Sequence, residues 1–247
     1  MGKAIIFIHG FGGFADIWRW QKEYFSVGNS VLSIDLPGHG VRPWNGESLE
    51  DMARIVHQEC QGAGIQSADI VASSFGGLVA LKVCELFPDL VHRAVYAGAL
   101  PRFTAVEGFP AGLDPERIRK LAGQFQGNVG TVLDMFFRSL FTRKEKERPR
   151  YFQVKEIRSS APLPQREALF GVLDMLEKDD LRPQLAALDK PALFIFGDTD
   201  YICPLAVVEP LRQLCPSAQI EVLKDVGHFP FLSIPEVFNR RVERFLQ

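Results

Sequence analysis

Net charge and cysteine are both scarce in this sequence. The formal charge is −2 over 247 residues, so the basic excess of a nucleic-acid binder is missing, and any charged partner must be met by a local patch. The four cysteines, Cys60, Cys84, Cys203 and Cys215, include no C-x-x-C pair. That removes the close spacing of zinc and redox sites and leaves reduced, mostly buried thiols. No basic segment followed by a long apolar one opens the chain, since Met1 to Ile8 runs straight into a strand-like run. A cytoplasmic, soluble monomer that touches neither membrane nor nucleic acid is therefore expected. With 47% hydrophobic and 23% charged residues, disorder, collagen-like repeats and a membrane bundle are excluded as global descriptions.

What is present is an alternation. Short apolar runs at Ala4 to Ile8, Val31 to Ile34, Asp69 to Ala72, Ala94 to Ala97, Ala192 to Phe196 and Gln219 to Leu223 are too short for helices. They are nearly continuous in hydrophobicity, as strands covered on both faces are. Helical patterns separate them at Ser48 to Gln61, Phe75 to Phe87, Pro204 to Leu214 and Pro235 to Leu246. The expected fold class is α/β, a doubly wound, mainly parallel sheet of about six strands. The alternation fails after Pro101, where only amphipathic stretches occur, among them Pro115 to Gln126, Val129 to Phe141 and Gln165 to Glu177. Residues 1–100 and 189–247 thus read as the core, and 101–188 as an all-helical lid inserted after the fourth strand, over the ligand crevice of an open α/β sheet.

Three loops carry the chemistry. Ala68 to Gly77 reads A-D-I-V-A-S-S-F-G-G, the strand, turn and helix of a nucleophile elbow. The strained turn demands small residues two positions before and after its serine. Ser74 meets this with Ala72 and Gly76, whereas Ser73 would have Phe75 at plus two. Both serines could also merely cap the following helix. Phe7 to Gly13 reads F-I-H-G-F-G-G, a turn able to aim the Phe11 N–H at a carbonyl oxygen while Phe75, after the nucleophile, supplies the second N–H. This stretch does not satisfy G-x-G-x-x-G from Gly10, which argues against a dinucleotide loop. After the fifth strand, F-G-D-T-D-Y-I-C-P offers Asp198 and Asp200 as acids to orient a histidine, and both qualify by type. Of the five histidines, His9 and His228 follow strands, and His9 is used by its own turn. His39, in D-L-P-G-H-G, reads as architectural, so His228 in D-V-G-H-F-P-F is the base.

The motifs H-G-F-G-G, D-L-P-G-H-G, S-S-F-G-G, F-G-D-T-D-Y-I-C-P and V-G-H-F-P-F together resemble the α/β-hydrolase superfamily across nearly the whole chain. Within it the chain is most similar to the pimeloyl-acyl-carrier-protein methyl ester esterases of biotin synthesis, including the stretch L-E-K-D-D-L-R-P-Q-L-A-A-L-D-K-P-A-L-F-I-F-G. The resemblance implies Ser74 as nucleophile, Asp200 rather than Asp198 as acid, His228 as base, and Phe11 and Phe75 as oxyanion donors. It implies a serine carboxylesterase without metal or organic cofactor, whose small acyl ester substrate is tethered to acyl carrier protein. It also implies a basic lid face for that acidic carrier. Between positions 138 and 158 there are eight basic residues against three acidic ones, and Arg138, Arg143, Lys144, Lys146, Arg148 and Arg150 are the candidates for such a face. A solvated helix with ordinary i,i+4 pairs is the plainer reading of the same run. Two departures stand out: Ala72 replaces the family's usual elbow glycine, and the chain starts at the family's third strand. The competing functions are a general carboxylesterase for small free esters, a lyase of menaquinone synthesis on the same fold, and a non-catalytic small-molecule receptor.

Overall fold

The computed structural model describes residues 3–247. Strand β1 (Ala4–Ile8) leads through a short 3-10 turn into helix α1 (Arg19–Phe25), followed by β2 (Ser30–Ile34), α2 (Leu49–Gly62), β3 (Ala68–Ser73), α3 (Phe75–Leu86) and β4 (Val91–Ala97). The chain between β4 and β5 is helical: α4 (Pro115–Gln124), α5 (Val129–Ser139), α6 (Arg143–Lys146), α7 (Pro149–Ser160), α8 (Arg166–Lys178) and α9 (Arg182–Ala186). Its only β pairing among the described residues is two isolated bridges, Thr104 with Leu113 and Val106 with Phe109. The sheet resumes with β5 (Ala192–Gly197), α10 (Val208–Leu214), β6 (Gln219–Leu223), α11 (Pro230–Ser233) and α12 (Pro235–Leu246).

All six strands pair in parallel in the order β2-β1-β3-β4-β5-β6. This is the doubly wound α/β sheet expected of the sequence. The period-2 geometry of a strand sorts β1 between two cores. Ile6 and Ile8 pack toward α2 and α3 in one apolar cluster, while Ile5 and Phe7 join the other, where Trp18 stacks on Phe231 at 4.1 Å. β3 and β5 are buried along their whole length, whereas the edge strands β2 and β6 are half-exposed. Parallel strands covered on both faces need that continuous hydrophobicity.

The strand order places the site. From β1 the chain goes outward to β2 and then crosses back to β3 on the other side of β1. The carboxyl ends of β1 and β3 therefore diverge into opposite crossovers, which is where an open α/β sheet leaves a crevice. Among the described residues no helix is long and apolar enough to cross a membrane.

Candidate active site

Ser74 lies between β3 and α3 with φ 52° and ψ −124°, a left-handed conformation held by a non-glycine residue. Such strain persists only where the surroundings enforce it. Here the Ser74 N–H donates to Ala97 O at 3.0 Å, and the Ser74 carbonyl accepts the Gly77 N–H at 2.8 Å. A β-carbon on Gly76 would stand 2.5 Å from His9 O and 2.7 Å from Ile8 O, so the second position after the serine must be glycine for the turns after β1 and β3 to touch. Ser73, by contrast, is fully buried with its hydroxyl unpartnered. Ser74 opens onto a cavity of about 420 Å³ also lined by Phe11, His228, Phe103, Phe136 and Phe229.

His228 is 2% exposed, and its Nδ1 donates to Asp200 Oδ2 at 2.8 Å. With Nδ1 so occupied, Nε2 is the ring nitrogen left with a lone pair. The other Asp200 oxygen accepts the N–H groups of Ile202 at 2.8 Å and Cys203 at 3.1 Å, so the buried carboxylate is fixed by backbone as well as by imidazole. Asp198 is exposed and, among the described residues, accepts only the Val226 N–H at 3.4 Å. By residue type both acids qualify, the family resemblance points to Asp200, and it is Asp200 that lies on the histidine. Asp200, Cys203 and His228 lie close enough to share a cation. Their donor atoms are otherwise engaged, however, because the Cys203 thiol donates to Gly98 O at 3.2 Å and burial pushes its pKa far up.

The turn after β1 is set by two histidines. His9 Nε2 accepts the Leu36 N–H at 3.0 Å and Nδ1 donates to Gly10 O at 2.8 Å, while His39 Nε2 accepts the Gly12 N–H at 3.2 Å. Burial lowers the His9 pKa to about 4 and that of His39 to about 3, the neighbouring His9 adding to the latter. Both rings are therefore neutral, as their acceptor roles require. Phe11 and Phe75 stand on the two touching turns. The Phe75 N–H opens α3, where no intrahelical acceptor exists, and among the described residues neither N–H makes a loop or turn hydrogen bond with the backbone.

Two contributors escaped the sequence reading. Gly98, at φ +55°, lies against the histidine, and a β-carbon there would come within 2.9 Å of His228 O and 3.1 Å of ring atoms Cε1 and Nδ1. Glu145, 2% exposed on α6, accepts the Gly227 N–H on both oxygens, at 3.2 and 3.1 Å. Its place in T-x-x-E marks it as a helix-capping acid, but nothing local marks the second bond.

The six basic candidates divide. Arg143 pairs with Glu147 at 3.1 Å and Lys144 with Asp225 at 2.8 Å, while Arg150 bonds Glu236 and lies over the Trp20 ring. Arg148 stands at the N-cap of α7. Arg138 and Lys146 instead line a groove between α5 and α7 with Lys155, Arg158 and the exposed apolar side chains Met135 and Phe152. Arg158 is 5% exposed, its Nε and Nη2 have no partner among the described residues, and burial lowers its pKa despite Asp134 nearby.

A sequence profile described as "alpha/beta hydrolase fold" matches residues 3–235. The chain is 28% identical to the pimeloyl-[acyl-carrier protein] methyl ester esterase of Aeromonas hydrophila, covering 99% of this chain and 96% of that one. It is 30% identical to the protein of the same name from Yersinia enterocolitica, covering 98% and 93%. Among solved structures, an esterase from Exiguobacterium antarcticum superposes with a TM-score of 0.89 at 22% identity, covering 100% and 92%, a likeness of fold.

Proposed function

The chain belongs to the alpha/beta hydrolase fold family and is a carboxylic-ester hydrolase, and on that footing we propose that it demethylates a pimeloyl-acyl-carrier-protein methyl ester in biotin synthesis through an acyl-enzyme on Ser74. The observation that carries the reading is the joint one: a strained serine and an acid-bound histidine lining a single, mainly apolar cavity. In this reading residues 1–100 and 189–247 are the catalytic core, and 101–188 form a lid over the cavity.

The Ser74 hydroxyl attacks the ester carbonyl while His228 Nε2 takes its proton, and Asp200 keeps the Nδ1 proton in place and stabilises the imidazolium. The Phe11 and Phe75 N–H groups receive the oxyanion. Collapse breaks the bond to the methoxy oxygen, which leaves as methanol with the proton from His228. A water then gives its proton to the same imidazole and attacks the acyl-enzyme. Collapse of that second intermediate releases the acid, and Ser74 regains its proton from His228. The ring of Phe11, edge-on to Phe125 and Phe136, and the side chains of Leu173 and Leu176 suit a methylene chain. The α5–α7 groove, with Arg138, Lys146, Lys155 and the unpartnered Arg158, suits an acidic carrier domain at the chain's far end.

Hydrolysis of carrier-tethered pimeloyl methyl ester, compared with a free methyl ester, tests this. The expected result is a strong preference for the tethered ester and a loss of roughly four to six orders of magnitude in kcat for Ser74→Ala. Turnover of free esters only would make the protein a general carboxylesterase, and near-normal activity of Ser74→Ala would overturn the nucleophile.

A further inference from the structure

We propose that Glu145 is a positioning residue for His228: its buried carboxylate, carried by the helical segment, grips the loop that presents the imidazole to the cavity. The inference rests on the esterase reading of that cavity. The loop runs from Asp225 to His228 and is held from two sides. On the core side, the Thr199 N–H and hydroxyl both donate to Val226 O, at 3.1 and 2.7 Å. On the helical side, Gly227 donates to Glu145 and the His228 N–H donates to Leu140 O at 3.0 Å. Lys144, next to Glu145, bonds Asp225, itself in the left-handed region at φ 57°. A β-carbon on Gly227 would stand 2.4 Å from Leu140 O, so the contact admits no side chain between the two segments.

Helix capping does not account for this burial. Glu145 does cap α6, accepting the Thr142 N–H at 2.6 Å while its own N–H donates to Thr142 Oγ1. The same device at α2, built from Ser48 and Asp51, leaves its acid exposed. A carboxylate taken out of water is costly unless several N–H donors meet it. The donor added at Glu145 is the residue that precedes the base. Hydrogen bonds to an ionised acceptor are roughly twice as strong as neutral ones, so a carboxylate makes a stiffer hold than an amide or hydroxyl. Stiffness matters because a displacement of about 1 Å at a reacting group costs on the order of a hundredfold in rate. The structure thus ties α6, in the middle of the helical segment, to the loop that carries the base.

The test uses the full-length protein and a free methyl ester, with active sites counted by exhaustive labelling with a fluorophosphonate. Wild-type turnover that depends on Ser74 is established first, and its absence would overturn the esterase reading and this inference with it. Glu145→Ala is expected to lower kcat per labelled site about 10- to 100-fold with KM within about twofold of wild type. Glu145→Gln keeps one acceptor oxygen and should fall between, which also covers the case of an alanine variant that fails to fold. Thr142→Ala removes the hydroxyl half of the cap but keeps the bonds of Glu145 to the Thr142 N–H and to Gly227, and should lower Tm with kcat per site unchanged. Wild-type kcat per labelled site in every Glu145 variant that folds would overturn the proposal, as would a Thr142→Ala variant as slow as the slowest of them.

Discussion

His9 and His39, with ring centroids 5.1 Å apart, hold the turn after β1 as neutral acceptors, and this makes the fold sensitive to acid. Their folded pKa values of about 4 and about 3 lie below the ordinary 6.5. The unfolded chain therefore takes up protons that the folded chain refuses, so their contribution is fully present above pH 6.5 and is lost as pH falls toward 4. For His9 alone the loss is on the order of 3 kcal/mol. Urea midpoints between pH 7 and 4.5 are expected to fall steeply for the wild type and less steeply for His39→Gln, whose amide oxygen still accepts the Gly12 N–H. Identical slopes would refute the assignment. At this scale the sequence exposed what local rules govern. Ser74 was legible because an elbow needs small neighbours, and His228 because it follows a strand. Gly98 was not, because the constraint on it is imposed by a histidine distant in sequence, and Asp200 was separated from Asp198 only through the family resemblance.

The strands and the long amphipathic helices were legible as elements because each is sorted by a single period, as Ile6 and Ile8 against Ile5 and Phe7 show for β1. Helices α6 and α7 read in the sequence only as one solvated helical run, without their division or their buried face. Their stretch is rich in Arg, Lys and Glu, and the buried apolar positions Tyr151 and Val154 are interleaved with the exposed Phe152, so no clean face is announced. The sense of the basic run changed accordingly, since Arg143, Lys144 and Arg150 are occupied by acids while the α5–α7 groove gathers Arg138 and Lys146 with Lys155 and Arg158. If that groove receives the acidic carrier, reversing charge on both walls with Arg138→Glu and Lys155→Glu should lower kcat/KM for the tethered ester about 10- to 100-fold. The free methyl ester should be hydrolysed as before. Steady-state assays on the two substrates decide it, and equal losses on both would show that the groove serves folding rather than recognition.

Taken whole, the molecule is nearly neutral, at −2, so its net charge neither attracts nor strongly repels an acidic partner. In the proposed reading attraction comes from the local field of the groove, which reaches only about 8–10 Å at physiological salt. The buried, unpartnered Arg158 is shielded from solvent and loses less to screening than the exposed Lys155. Raising ionic strength from about 0.05 M to about 0.5 M should therefore lower kcat/KM for the carrier-tethered ester several-fold by slowing encounter, without abolishing it. The free ester enters an apolar cavity and should respond little, while the groove-reversed variant should show a flat or inverted response with the tethered ester. A salt response shared equally by both substrates would place the effect on the Ser74 chemistry itself and remove the groove from recognition; confinement to the tethered ester would tie carrier capture to the α5–α7 surface.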